Sequence, residues 1–188
     1  MRIAPSAALV CILACWIVIG VATTFRRQHS STSETRRARG WTWGFALQVL
    51  SIGILWVLPR PDPPGLWLSV VAVALGAASA AVILSAQRAL GCQFAYTARL
   101  VEGHRLIVAG PYRWVRHPIY SALFGMALAN GLVLSRWPAI PIFVVLYFAG
   151  TAIRTRSEER LLRGQFGAEF EDYAARVPAL IPVPGRKL

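Results

Sequence analysis

The 188-residue sequence is short of charge, and of acid above all: eight Asp and Glu stand against twenty Lys and Arg, and charged residues make up only 15%. Soluble domains carry about 25% charged residues, so an ordinary water-soluble globule is excluded at the outset. Cysteine is sparse as well. Cys11, Cys15 and Cys92 form no CxxC pair, which excludes a disulfide framework, and no metal-ligand spacing occurs elsewhere. Lysine is nearly missing, with Lys187 alone beside nineteen Arg; that ratio fits an Arg-rich coding bias more than a function. What is abundant is apolar, at 56% of residues, and this excludes disorder. The twelve Pro and fifteen Gly are too scattered for a fibrous chain. A membrane protein remains.

Charge-free runs give the spans. A membrane helix needs roughly 20 apolar residues to cross about 30 Å of hydrocarbon. Such runs occupy Ala4 to Phe25, Trp41 to Leu58 and Leu66 to Gln87, with two shorter ones at Ile119 to Leu134 and Ala139 to Ile153. Only Ser135 to Pro138 separates the last two, as in a helical hairpin. The sequence therefore predicts an all-α integral membrane bundle of about five transmembrane helices, with a helical hairpin over 119–153 and a cytoplasmic amphipathic C-terminal helix. It divides into a three-helix anchor region, 1–87, and a region carrying the chemistry, 88–188. The first run resembles a signal peptide, but its apolar stretch exceeds the usual 7–15-residue signal core, which favours a retained anchor. Cys11 and Cys15, one helical turn apart within it, read as packing residues.

Arg and Lys set the orientation. Seventeen of the twenty fall in the 26–40 loop, the 88–118 segment and the tail after Ile153, leaving Arg2, Arg60 and Arg136 for the other side. This predicts an N-terminus outside and a cytoplasmic C-terminus, in a bacterial inner membrane given the Arg bias and the small size. Loops and anionic headgroups account for the basic surplus, so no nucleic-acid partner is implied. The first three runs hold no ionisable residue and the halves show no repeat, which weighs against a transporter.

The chemistry lies in the second half. From Gly103 to Tyr120 the chain is dense in polar, aromatic, Gly and Pro residues beside a membrane. Gly110-Pro111 signals a turn, and His117-Pro118 a helix start. Free N–H groups at such a start favour an anion, with Arg113, Arg116 and His117 just before it. After the last run, Arg154 and Glu158 stand four apart and share a helix face. Leu162, Phe166, Phe170, Tyr173 and Val177 then form an apolar stripe interrupted by Gly164 and Gly167. Each feature alone has a plainer reading: Arg113 and Arg116 as headgroup contacts, His104 as a solvated loop residue, Tyr112, Trp114 and Tyr120 as an interfacial aromatic belt, and Arg154 with Glu158 as a helix ion pair.

Taken as an ordered series, His104 to Ile107, Gly110-Pro-Tyr112, Arg116-His-Pro-Ile-Tyr120, Arg154-x-x-x-Glu158-Glu159-x-x-Leu162, Phe166-Gly167, Phe170-x-x-Tyr173 and Val177-Pro178 resemble the isoprenylcysteine carboxyl methyltransferase family and its bacterial relatives. The resemblance implies a membrane methyltransferase that holds S-adenosyl-L-methionine at the cytoplasmic face, between the hairpin and the tail. The donor-binding positions it implies are His104, Arg105, Leu106, Ile107, Gly110, Tyr112, Arg116, His117, Pro118, Ile119, Tyr120 and Glu158. Arg154 corresponds to the residue associated with the acceptor, and Arg154 and Glu158 are the catalytic candidates. The implied partners are a lipophilic or small-molecule methyl acceptor and membrane lipids. Ile119 and Ala122 depart from the Ser and Gly that the family often has there, which bears on the lining of the acceptor pocket. Two other readings compete. Sterol-reductase-like, NADPH-dependent membrane oxidoreductases carry a similar His-Pro-x-Tyr element, usually with Asn before the Tyr and without the Glu-Glu-x-x-Leu tail. A non-catalytic membrane subunit could also keep the same fold.

Overall fold

The computed structural model describes residues 3–28, 34–37, 41–91, 99–101 and 106–182. Five apolar helices form its body: α1 Ile3–Gln28, α2 Trp41–Val57, α3 Leu66–Leu90, α4 Pro118–Leu134 and α5 Ala139–Phe166. They follow the charge-free runs because apolar surface is tolerated in lipid only where helices satisfy their own backbone. α1, α3 and α5 are long and apolar enough to cross a membrane, and α2 and α4 are shorter apolar helices. α5 has 28 residues. At 1.5 Å per residue it is about 42 Å long, more than the hydrocarbon thickness, so its last turns extend beyond the bilayer.

Side chains too apolar for water cover the outside. Val10, Ile17, Val49, Val70 and Val145 are all more than half exposed, which is the surface of a protein solvated by lipid. Trp56, Trp67 and Trp137 are exposed toward one end of the helices and Trp43 and Trp114 toward the other, as in the aromatic belts of a bilayer's two interfaces.

Inside, α3 packs along α1 and α4, and α2 packs along α5. The α1–α3–α4 seam is built of small and medium residues, among them Ala8, Ile12, Ala72, Ile83, Ala122, Met126 and Ala129. Small residues let membrane helices approach closely where no hydrophobic effect drives them together. The α2–α5 crossing is closer still. A Cβ built on Gly150 would lie 2.6 Å from the Gly44 carbonyl oxygen, and one built on Gly44 would lie 2.6 Å from Arg154 Cγ.

Two links tie the bundle at its ends. Antiparallel strands β1 Glu34–Arg37 and β2 Arg99–Val101 pair Glu34 with Val101, Arg36 with Leu100 and Arg37 with Arg99. These strands add to the helical fold expected from the sequence, where both segments read as loops. Their pairing puts residues 34–37 and 99–101 at the same end of the bundle. At the opposite end Pro59 and Ser135 form a bridge. The Arg60 amide donates to the Leu134 carbonyl at 2.7 Å and the Arg136 amide to the Leu58 carbonyl at 2.9 Å. Arg136 Nε donates to the Pro59 carbonyl at 3.1 Å and Arg60 Nη1 to the Leu132 carbonyl at 3.2 Å.

Gly150→Val should drive a side chain into the α2 backbone, destabilising the bundle by about 1–3 kcal/mol or more. The check is a lower thermal midpoint in detergent. Gly164→Ala, where a Cβ meets nothing within 4 Å, should leave the midpoint unchanged or slightly higher.

Candidate functional site

The site forms where α4 begins and α5 continues past the apolar slab. Pro118 occupies the first turn of α4, where no backbone donor is lost, and its ring restrains His117, which sits at φ −125° and ψ 60° outside the helix. α4 and α5 are locked in register by aromatic packing. The Phe124 and Phe143 rings lie 5.4 Å apart at 8°, and Tyr147 beside them donates its hydroxyl to the Tyr120 carbonyl at 2.8 Å. That bond fixes the first turn of α4 against α5, so the Tyr120 side chain meets the Glu158 carboxylate about three turns further along α5.

Glu158 and Glu159 are successive residues on a helix and so point about 100° apart. His117 fills the angle between them. Its Nδ1 lies 3.4 Å from Glu158 Oε2 and its Nε2 lies 3.2 Å from Glu159 Oε1. With a carboxylate at each ring nitrogen, the doubly protonated imidazolium is the form that satisfies both contacts. Burial opposes that charge, but the hydrogen bonds and charges of Glu158 and Glu159 outweigh it and raise the pKa above the ordinary 6.5. Glu159 moves the other way. Burial pushes it up, yet the bonds and charges of His117 and Arg116 hold it down, from 4.5 to about 2. Glu158 also accepts a bond from the Tyr120 hydroxyl and keeps a side-chain exposure of 23%, against 11% for Glu159.

A second layer fastens the tail. α5 ends at Gly167, whose φ of +52° is the left-handed region that favours glycine, and the chain turns into α6, Ala168–Arg176. The apolar stripe read from the sequence is the buried face of this turn. Phe170, Tyr173 and Val177 pack with Leu162, Phe166 and Leu106. Arg116 crosses to meet them, with Nε and Nη2 donating to Glu159 Oε1 at 3.0 and 2.9 Å and Nη1 donating to the Ala174 and Val177 carbonyls. Arg163 bonds Glu159 at 3.0 Å and Glu171 at 2.8 Å. Beyond α6, the Pro178 and Ala179 carbonyls accept from the Arg116 and His117 amides, both at 2.9 Å, and the Leu180 carbonyl accepts from the Ser121 hydroxyl at 2.6 Å.

The residues singled out from the sequence divide accordingly. His117, Pro118, Tyr120 and Glu158 come together. Arg154 joins them with its guanidinium 4.8 Å from the centroid of the Tyr120 ring. Tyr112 stands on a short 3-10 turn, Gly110–Arg113, which Gly110 enters at φ +61°. The Tyr112 carbonyl accepts from the Tyr173 hydroxyl at 2.6 Å, and burial first, then the Glu158 charge, raise the Tyr112 phenol pKa. Leu106 packs against the α6 cluster, Ile107 is half-buried beside it in sequence, and Ile119 is half-buried in the first turn of α4. His104 and Arg105 lie outside the described residues.

Two expectations meet a different arrangement. In the first turn of α4 the Tyr120 and Ser121 amides donate to the His117 carbonyl at 3.1 and 3.3 Å, and the Arg116 and His117 amides just before it are taken by the returning tail. The Arg116 guanidinium, expected beside a ligand carboxylate, faces Glu159 and two tail carbonyls. Sequence reasoning also left Glu159 without a role, although it carries the larger share of the ion pairing. Its signals were its place in the ordered series and its adjacency to Glu158, since neighbours on a helix cannot share one face.

These features define a polytopic helical membrane protein with a compact ionic site at one end of the bundle, closed by its C-terminal turn. Residues 69–164 match the model of the isoprenylcysteine carboxyl methyltransferase (ICMT) family, and the chain belongs to that family. It is 32% identical over 82 residues to the protein-S-isoprenylcysteine O-methyltransferase of Schizosaccharomyces pombe, covering 44% of this chain and 35% of that protein. To protein-S-isoprenylcysteine O-methyltransferase B of Arabidopsis thaliana it is 32% identical over 84 residues, covering 45% and 43%. A Delta(14)-sterol reductase of Mus musculus is 36% identical over 78 residues, covering 40% of this chain and 18% of the reductase. The match thus spans less than half the length of each of these relatives.

The ionic cluster has a defined pH range. The Glu159 contribution to stability is complete above 4.5 and is lost as pH falls toward about 2, while that of His117 is complete below 6.5 and is lost as pH rises through its raised value. The thermal midpoint in detergent should therefore fall on the alkaline side, and His117→Gln should flatten that limb of the profile.

Proposed function

We propose that the chain is an integral-membrane methyltransferase that uses S-adenosyl-L-methionine and methylates a lipophilic or small membrane-accessible acceptor, at a carboxylate or another nucleophile. The observation that carries the reading is the convergence of His117, Tyr120, Glu158 and Arg154 at one end of the hairpin, inside the matched family region. In this reading five crossings and the positive-inside distribution of Arg support a cytoplasmic site and an outside N-terminus, and the Arg bias and small size support a bacterial inner membrane. In this reading residues 1–87 anchor the protein and residues 88–188 carry the chemistry.

The donor set suits the molecule. Glu158 is the partly exposed carboxylate of the cluster and would hold the donor's ammonium group. Tyr112 and Tyr120 offer aromatic faces and Tyr120 a hydroxyl, while Gly110, Leu106, Ile107 and Ile119 supply backbone and apolar wall, with His104 and Arg105 at the same segment. Bound S-adenosylmethionine supplies a methyl group activated by positive sulfur. The protein's part is then to align, to exclude water and to place charge. Arg154 would orient the carboxylate of an acceptor, and that carboxylate needs no base because it is ionised at neutral pH. His117, between two carboxylates that favour its charged form, would brace Glu158. Arg116 is a positioning residue that holds the tail across the site. The names of the relatives point to an S-prenylated cysteine carboxylate as the first acceptor to try.

Glu158→Gln should weaken equilibrium binding of labelled S-adenosylmethionine by about tenfold or more, as expected for losing a charge-assisted hydrogen bond, with membrane insertion intact. Arg154→Ala should leave donor binding in place and raise the acceptor KM or lower kcat. The sterol-reductase resemblance gives a second reading with NADPH in the same place. Binding of labelled NADPH in preference to S-adenosylmethionine by detergent-solubilised protein would favour it, and binding of neither would favour a non-catalytic subunit.

A further inference from the structure

Helix α2 belongs to the stretch that the sequence presents as plain anchor, yet it buries an amide at depth. Gln48 is 5% exposed. In hydrocarbon such a group is stable only when its polar atoms are partnered, and both ends of this one are. Its Nε2 donates to Thr151 Oγ1 at 2.8 Å, and its Oε1 accepts from Arg154 Nη1 at 2.7 Å. Thr151 is completely buried and Arg154 is 7% exposed. Phe45, one turn earlier on α2, places its ring centroid 5.6 Å from the Arg154 guanidinium, and Tyr120 of α4 places its own at 4.8 Å. The close passage of Gly44 against Arg154 Cγ and the Gly150 carbonyl brings α2 within reach of the cation.

We propose that Gln48 is a positioning residue for Arg154, so that α2 shares in building the acceptor side of the site. The proposal rests on the reading of Arg154 as the acceptor-orienting group. Arg154 and Glu158 stand four residues apart on α5, the spacing at which opposite charges on a helix attract, and a long cationic side chain in lipid extends toward the polar end. Both tendencies draw the guanidinium up to Glu158. Gln48 draws it the other way, from a neighbouring helix, and is itself held by Thr151. The guanidinium is thereby fixed over the Tyr120 ring while the Tyr120 hydroxyl remains with Glu158, and the acceptor-side cation and the donor-side carboxylate keep a set separation. Gln48 touches neither reactant in this scheme; it acts through Arg154.

The test uses full-length protein in nanodiscs, with methyl-labelled S-adenosylmethionine as donor and N-acetyl-S-farnesylcysteine as the carboxylate probe. Gln48→Met keeps the length of the side chain and removes both hydrogen bonds. It should raise the probe's KM by about 10-fold or more, the scale of a hydrogen bond to a charged group, with donor affinity within about twofold of wild type. Gln48→Glu restores an acceptor for Arg154 but neutralises its charge, and should raise the KM further. Thr151→Val, which frees the amide without touching Arg154, should fall between wild type and Gln48→Met. A wild-type KM in Gln48→Met overturns the proposal, and so does an equal loss of donor affinity, which would mark Gln48 as structural. If wild-type protein transfers no label to the probe, the carboxylate reading of Arg154 falls first and this proposal with it.

Discussion

The structure depends on one fastening: a pair of adjacent carboxylates on the emergent end of α5 grips the cations that precede α4. The grip works because α5 outlasts the bilayer, so Glu158 and Glu159 stand where ions are tolerated. It also works because neighbouring helical positions diverge. One carboxylate faces inward to Tyr120 and keeps some exposure, while the other is spent on His117, Arg116 and Arg163. On the proposed reading the first is left to the donor because the second does the holding. Buried ion pairs are rarely a net source of stability, but breaking one from one side costs about 3–5 kcal/mol. The cluster is therefore better understood as specifying a geometry than as strengthening the fold, and the geometry it specifies is the position of the chain's last turn.

Below that layer the constraint changes from charge to hydrogen bonding. Among the described residues of the apolar slab the buried polar side chains are neutral, apart from Arg154, and several find partners on other helices or on their own. Gln87 donates to Thr23 at 2.9 Å, Gln48 to Thr151, and Asn130 Nδ2 to the Met126 carbonyl at 2.9 Å. Two of the three join helices far apart in sequence. Helix α3 is thus tied to α1, and α2 to the hairpin, by specific contacts as well as by shape. Small residues at Gly44, Gly76 and Gly150 give the close approach that such short side chains need.

Much of this was legible in the sequence. The five helices follow from uninterrupted apolar runs because lipid imposes that pattern directly. The extension of α5 and the stripe from Leu162 to Val177 were visible as periodicity, and the meeting of His117, Tyr120 and Glu158 was visible as an ordered motif series. The missing parts are contacts between segments distant in sequence. Gln48 looked like an ordinary member of a charge-free run, since a neutral amide raises no alarm in a search for ionisable residues. That Arg116 serves the tail depends on how α6 folds back, which local spacing does not encode. The β1–β2 pair was unreadable for the same reason, because strands of four and three residues carry too little alternation to stand out from a loop.

At the end remote from the carboxylates, the turn between α2 and α3 is laced to the turn between α4 and α5 by two reciprocal amide bonds and two arginine side chains. Backbone lacing of this kind makes a pivot: the helices it joins cannot separate there without breaking it. At the opposite rim the ties are of another kind: the β1–β2 pair, the carboxylate cluster and the returning tail. Between α2 and the start of α4 at that rim, the Arg154 guanidinium sits between two aromatic rings, so a shift of α2 would reach Arg154 first.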